Sequence, residues 1–176
     1  MMAIETIKEM LPAYAKDMRL NFSTVLTEAG APGLTDKQIA AVAVSVALST
    51  KCKVLIDAME KFAQDFLTEE EYQGAQIATS IMSMNNIYYR FTHLVSNDEY
   101  TKLPARLRMN QMANPGLDKA TFELASIAVS AVNGCGMCVD SHEKNLRDLG
   151  VSSQGIQSAV RIAAVLFSVS VSLANK

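Results

Sequence analysis

The sequence predicts a single all-α domain built from two repeated helical units. Three observations carry that expectation. Apolar residues recur at helical spacing along much of the chain, helix-start signals stand ahead of those stretches, and one pattern of residues returns after 83 positions. The chain has 176 residues, 49% of them hydrophobic. That is enough for one domain with a substantial core and too little for two ordinary ones, so residues 1–176 are read as one domain.

The helical spacing is clearest near the C-terminus, where Ile156, Val160, Ala163, Phe167 and Val171 form one stripe. Ser168 to Leu173 alternates valine and serine, which alone suggests a strand, and Val42 to Val46 is equally ambiguous. Both are read as helix because the stripes around them extend over several turns. Thr35 with Gln38, and Thr68 with Glu71, have capping-box spacing. Glu69, Glu70 and Glu71 then fall in a first turn, where the helix dipole favours them. Pro12 is expected to begin or kink a helix, and Asn114-Pro115-Gly116 to turn the chain ahead of the next one.

The repeat is the most informative feature of the architecture. A shift of 83 positions carries Leu34 onto Leu117, Val46 onto Val129 and Cys52 onto Cys135. The same shift carries Asp57 onto Asp140, Glu60 onto Glu143 and Lys61 onto Lys144. The apolar runs Ile39–Leu48 and Leu124–Val132 also superpose. One register kept across two helices predicts a duplicated unit, spanning about 34–94 and about 117–174, packed about a pseudo-twofold axis. The copies differ where chemistry would sit. Leu55 stands against Cys138, Met59 against His142, and Ala40 against Glu123. The first copy is therefore expected to be structural, with Cys52 a buried small hydrophobe.

Bulk properties narrow the function. A net charge of -2 and a pI of about 5.7 provide no basic stripe for nucleic acid. Met1 to Met10 includes Glu5, Lys8 and Glu9 and lacks an apolar signal region, so a cytoplasmic protein is expected. The apolar stretch Ile162–Ala174, interrupted by serines, is read as too short to span a bilayer, and no membrane partner is expected. Three cysteines without an export signal point to catalysis or metal binding rather than to a disulfide scaffold.

Asn133-Gly134-Cys135-Gly136-Met137-Cys138 precedes Val139-Asp140-Ser141-His142. If Cys135 opens a helix, the two cysteines lie on one face with Cα atoms about 5–6 Å apart, close enough for a disulfide. Free N–H groups at a helix start favour the thiolate. His142 shares that face, one turn beyond Cys138, and an imidazole there can take a thiol proton near neutral pH. The spacing favours Cys138 as the activated sulfur, whereas a thioredoxin-type analogy favours Cys135. Glu123 is either a first-turn carboxylate facing water or a buried acid with a partner. A zinc site would use Cys135, Cys138 and His142 with Cys52 or His93, but no second cysteine or histidine pair completes a common zinc pattern. His93 is read as structural or surface, and Met82, Met84, Met109 and Met112 as core filler.

The segment Leu107–Leu149 resembles the alkyl hydroperoxidase D (AhpD) family, within the carboxymuconolactone decarboxylase-like superfamily. The resemblance rests on Arg108-Met109-Asn110, Asn114-Pro115-Gly116, Phe122-Glu123-Leu124, Ala131-Val132-Asn133-Gly134-Cys135, Cys138 and His142-Glu143. Met84-Asn85-Asn86-Ile87-Tyr88-Tyr89-Arg90 is also similar to that family. The resemblance implies an all-helical oligomer, typically a trimer, that reduces organic hydroperoxides and a partner peroxiredoxin (AhpC-like). Electrons would come from dihydrolipoamide on a lipoylated protein served by dihydrolipoamide dehydrogenase, with no bound cofactor beyond a redox-active Cys135–Cys138 disulfide. It further implies that Cys138 is oxidised to sulfenic acid or joined to the partner. Cys135 resolves it and donates a proton, and His142 with Glu123 relays protons. Met137 departs from members with histidine between the cysteines and implies a weaker peroxidase. The alternatives are a carboxymuconolactone decarboxylase-like enzyme that does not use the cysteine pair, and a zinc-binding structural module.

Overall fold

The computed structural model describes residues 2–175; Met1, which heads the stretch read as lacking an export signal, and Lys176 lie outside the described residues. The described residues form nine α-helices and no strand. The first two are α1 (Met2–Met10) and α2 (Lys16–Val25). A first group follows as α3 (Asp36–Thr50), α4 (Lys53–Ala63) and α5 (Glu69–Leu94). After the short α6 (Glu99–Lys102), a second group follows as α7 (Lys119–Val132), α8 (Gly136–Asp148) and α9 (Ser153–Ala174). Both ambiguous valine-rich stretches are helical, in α3 and α9.

The helix starts follow local chemistry. Thr35 and Thr68 each make the full capping box, with Gln38 and Glu71 as the returning side chains. Asp118 caps α7 by accepting from the Thr121 N–H, and Ser152 caps α9 by accepting from the Gly155 N–H. Such caps each contribute about 1 kcal/mol by satisfying N–H groups that the helix itself leaves unpaired. Pro12 separates α1 from α2 and opens the 3-10 turn Ala13–Ala15, where its missing N–H costs nothing.

Helices α3 and α7 form the centre, packed on each other and on α5 and α9. Both are enclosed on nearly every side: Ile39 to Ala47 and Thr121 to Ser130 are buried without a break. A helix surrounded in this way needs apolar or small residues around its whole circumference, which is why neither shows a polar face. Helix α1 lies on α4, and α2 lies on α9.

Helix α9 corrects one expectation. The stretch taken as Ile162–Ala174 belongs to a helix of 22 residues, long and apolar enough by length and composition to cross a membrane. Its stripe of Ile156, Ala159, Ile162, Ala163, Leu166 and Val169 is buried in the core, which accounts for the apolar composition.

The 83-residue offset recurs in the backbone. Lys51 and Gly134 both occupy the left-handed region, with φ of 60° and 69°, and each is followed by a cysteine that opens the next helix. Gly33 and Gly116 share a positive φ as well. The loop at Gly33 packs on the start of α9 beside Gly155, and the loop at Gly116 packs on the start of α5 beside Glu70. Each group's leading loop therefore rests on the last helix of the other group.

Candidate active site

The turn from α7 into α8 sets the position of both sulfurs. At the end of α7, Gly134 N–H donates to the Ala131 carbonyl and Cys135 N–H to the Ser130 carbonyl. Helix α5 holds this turn from the side. Buried Asn86 donates to Ser130 Oγ at 2.9 Å and accepts from Asn133 Nδ2 at 3.0 Å, while Arg90 donates to the Asn133 carbonyl at 2.6 Å.

Cys135 is the N-cap of α8, and Cys138 lies at its third position. The two are joined, with an S–S distance of 2.07 Å and Cα atoms 5.3 Å apart. The Cys138 N–H points at the Cys135 sulfur, 3.3 Å away. The exposure of the two differs: Cys135 is fully enclosed, and Cys138 keeps 7% of its surface. Cys138 lines a cavity of about 280 Å3, whereas Cys135 stands behind it.

Glu123 and His142 meet at the wall of the same cavity. Each is only 6% exposed, and His142 Nδ1 lies 2.7 Å from Glu123 Oε2. An ionised carboxylate can only accept, so it takes a hydrogen bond from Nδ1–H and orients the ring. Nε2 faces the sulfur of Met82 at 3.2 Å. Asn145 donates to the same Glu123 oxygen at 3.3 Å, so the carboxylate that orients the ring is itself held. Of the two readings of Glu123, the structure supports the buried acid with a partner.

The cavity gathers residues from four places. Met82, Asn85 and Tyr89 come from α5, Met109 and Met112 from the segment before α7, and Glu123 from α7. Helix α8 supplies Met137, Cys138, Ser141, His142 and Asn145. Three of the four methionines read as core filler are thus cavity wall; fully buried Met82 belongs to both descriptions. Sequence reasoning missed Asn145, although its spacing of three from His142 placed it on the same face. It also missed the part played by Asn85 and Asn86, because their partners lie far away in sequence.

The remaining candidates lie elsewhere. Cys52 is a free thiol at the start of α4 and half-buried rather than buried, because a helix-capping position sits at the end of the packed face. His93 is exposed in the last turn of α5. Among the described residues no group of three or more His, Cys, Asp or Glu side chains is gathered as a metal site, so the zinc set with Cys52 or His93 is not assembled.

Comparison with known proteins gives a consistent picture. The model of the carboxymuconolactone decarboxylase family matches residues 98–174. A protein of Coxiella burnetii (strain RSA 493 / Nine Mile phase I) named alkyl hydroperoxide reductase AhpD is 51% identical over 163 residues, covering 93% of this chain and 92% of its own. One of the same name from Rhodopseudomonas palustris (strain BisB18) is 49% identical over 172 residues, covering 98% and 93%. A third, from Bradyrhizobium sp. (strain BTAi1 / ATCC BAA-1182), is 46% identical over 172 residues.

Proposed function

The chain belongs to the AhpD family, within the carboxymuconolactone decarboxylase-like superfamily, and on that premise we propose that it is a thiol-dependent alkyl hydroperoxide reductase. The observation that carries this reading is a single cavity shared by Cys138 and the buried His142–Glu123 pair, with Cys135 in disulfide range behind. A substrate entering that cavity reaches Cys138 before Cys135.

In the proposed cycle His142 Nε2 takes the Cys138 proton, and Glu123 stabilises the resulting imidazolium. The Cys138 thiolate attacks the terminal oxygen of the hydroperoxide. The O–O bond breaks, Cys138 becomes a sulfenic acid, and the alkoxide leaves with a proton to become the alcohol. Cys135 then attacks the Cys138 sulfur, its own proton leaving with the hydroxyl as water, and the disulfide closes. Two thiols of a dihydrolipoamide donor reopen it by successive exchange and are themselves oxidised to a disulfide. The same dithiol chemistry would reduce the disulfide of a partner peroxiredoxin. A trimer-based oligomer in the cytoplasm, and descent of the two helical groups from one duplicated unit, are part of the same proposal.

A count of free thiols before and after one equivalent of cumene hydroperoxide tests the reading. The reduced native protein should lose the two thiols of Cys135 and Cys138 and keep that of Cys52. Cys135→Ser should hold a trappable sulfenic acid at Cys138, and Cys138→Ser should lose none. Thiol loss in Cys138→Ser at the native rate would remove the assignment. A decarboxylase-like reading, suggested by the name of the matching family, predicts instead a lactone-directed activity indifferent to thiol alkylation.

A further inference from the structure

Asn85 is enclosed in the cavity wall, 7% exposed, and its two polar atoms are treated differently. Its Nδ2 donates to the sulfur of Met109 at 3.0 Å, while Oδ1 is buried and has no hydrogen-bond partner among the described residues. A thioether accepts hydrogen bonds and cannot donate one, so the contact with Met109 fixes which end of the amide is the nitrogen. A buried acceptor without a donor is costly and rare enough to need a reason. The neighbouring Asn86 shows what a structural role looks like, for both ends of its amide are bonded to protein groups.

We infer that Asn85 is a substrate-positioning residue whose amide oxygen accepts a hydrogen bond from the terminal O–H of the hydroperoxide. The inference rests on the peroxidase reading and deepens it. The other walls suit the rest of that substrate. Met82, Met109, Met112 and Met137 present flexible thioethers that adapt to an alkyl group and offer no donor to the amide oxygen. The Met109 contact is weak, so the amide can turn about its last torsion to meet a donor that enters. The chemistry also fits the placement. The terminal oxygen is the atom that Cys138 attacks, and it keeps its hydrogen on becoming Cys138–S–O–H. One acceptor can therefore hold that O–H from bound substrate through to the sulfenic acid, with the O–O bond directed away from the thiolate and the leaving alkoxide towards the apolar wall.

The test compares two reagents for the same sulfur. Cumene hydroperoxide carries the O–H donor; methyl methanethiosulfonate attacks the same thiolate and carries none. The rate constants of both are measured on the reduced native protein, on Asn85→Leu and on Asn85→Asp, each with Cys52→Ser and Cys135→Ser, to leave Cys138 as the reporting thiol. Taking the ratio of the two rates cancels any change in thiolate population. Asn85→Leu should lower the hydroperoxide-to-thiosulfonate ratio about tenfold, the worth of one hydrogen bond. Asn85→Asp keeps an acceptor oxygen and should hold the ratio within about threefold of native. An unchanged ratio in Asn85→Leu would overturn the inference while leaving the peroxidase reading intact. An equal fall of both rates in both variants would make Asn85 merely structural and overturn it too. A native protein that reacts with thiosulfonate and ignores hydroperoxide would instead refute the peroxidase reading itself.

Discussion

Helices α3–α4 and α7–α8 are built alike and finished differently. Each pair begins at a side-chain cap, runs through a fully enclosed central helix, turns through a left-handed residue and restarts at a cysteine. In the second pair the facing positions are Glu123, Cys138 and His142, grouped around a cavity. In the first they are Ala40, Leu55 and Met59, each wholly without exposed surface. The surroundings differ accordingly. Helix α1 lies on α4, whereas the segment carrying Met109 and Met112 leaves room beside α8. The contrast teaches that the backbone turn alone does not make a reactive site. An open wall and a buried acid–base pair must be added, and the first pair has a filled core in their place.

The largest effect expected from this contrast is on turnover. Cys138→Ser should cut dihydrolipoamide-linked hydroperoxide reduction by at least about 1,000-fold, since in the proposed cycle Cys138 alone forms the intermediate. Cys52→Ser, the counterpart of altering Cys135, should stay within about twofold. Substantial loss in the Cys52 variant would break the division into a reactive and a structural half.

Removing the base comes next. His142→Phe should lower the rate about 100-fold and move the rise of the pH–rate profile to higher pH, because the thiol must then ionise without help. A profile of unchanged shape would take His142 out of the relay.

The reciprocal change acts on stability. Ala40→Glu puts a carboxylate where the second half has Glu123, but Leu55 and Met59 stand where Cys138 and His142 would be. An unpaired buried acid there should cost about 3–5 kcal/mol in urea unfolding. A cost below about 1 kcal/mol would mean that the first half holds room for polar chemistry after all.

The shared turn offers a finer comparison. Gly134→Ala should destabilise by about 1 kcal/mol through backbone strain, because a Cβ at that position meets no neighbouring atom. Lys51→Gly should stabilise by a similar amount, for lysine holds φ of 60° against its own preference. Thermal unfolding of the two variants should move in opposite directions.

The smallest effect concerns a charge pair found only on the first half. Lys37 on α3 bonds Glu71 at the start of α5, and the ammonium holds that carboxyl below the usual carboxylate range, helped by the capping bonds with Thr68. A depressed folded value stabilises above the ordinary carboxylate range and loses that contribution as pH falls through the folded value. Glu71→Gln keeps the capping geometry and removes the charge. It should cost about 0.5 kcal/mol at pH 7, and the difference from native should shrink towards zero in acid. The second half has Ala120 and Gln154 at the matching places and no such acid sensitivity there.

The helices and their starts were legible in the sequence because they depend on neighbours three and four residues apart. Thr35 with Gln38, Thr68 with Glu71, and the pair Cys135–Cys138 are local patterns that tertiary packing had only to preserve. Glu123 was legible as an anomaly, an acid in an apolar run, but not as a solved one. Its partners His142 and Asn145 lie on the next helix, and whether that helix folds back over it depends on the turn. The length of α9 was misjudged because serines read as interruptions in a linear scan, whereas in a helix they sit within one continuous element.

What the sequence by itself determined is the all-α character, a residue pattern that returns after 83 positions, and the set Cys135, Cys138 and His142 on one helical face. What only the tertiary structure decided is the cavity: that α5 brings Met82 and Asn85 to it, that Met109 and Met112 face it, and that Cys138 rather than Cys135 opens into it. The physical reason is range. Capping and helical periodicity are fixed by bonds within a turn or two, while a cavity exists only where helices distant in sequence fail to fill the space between them.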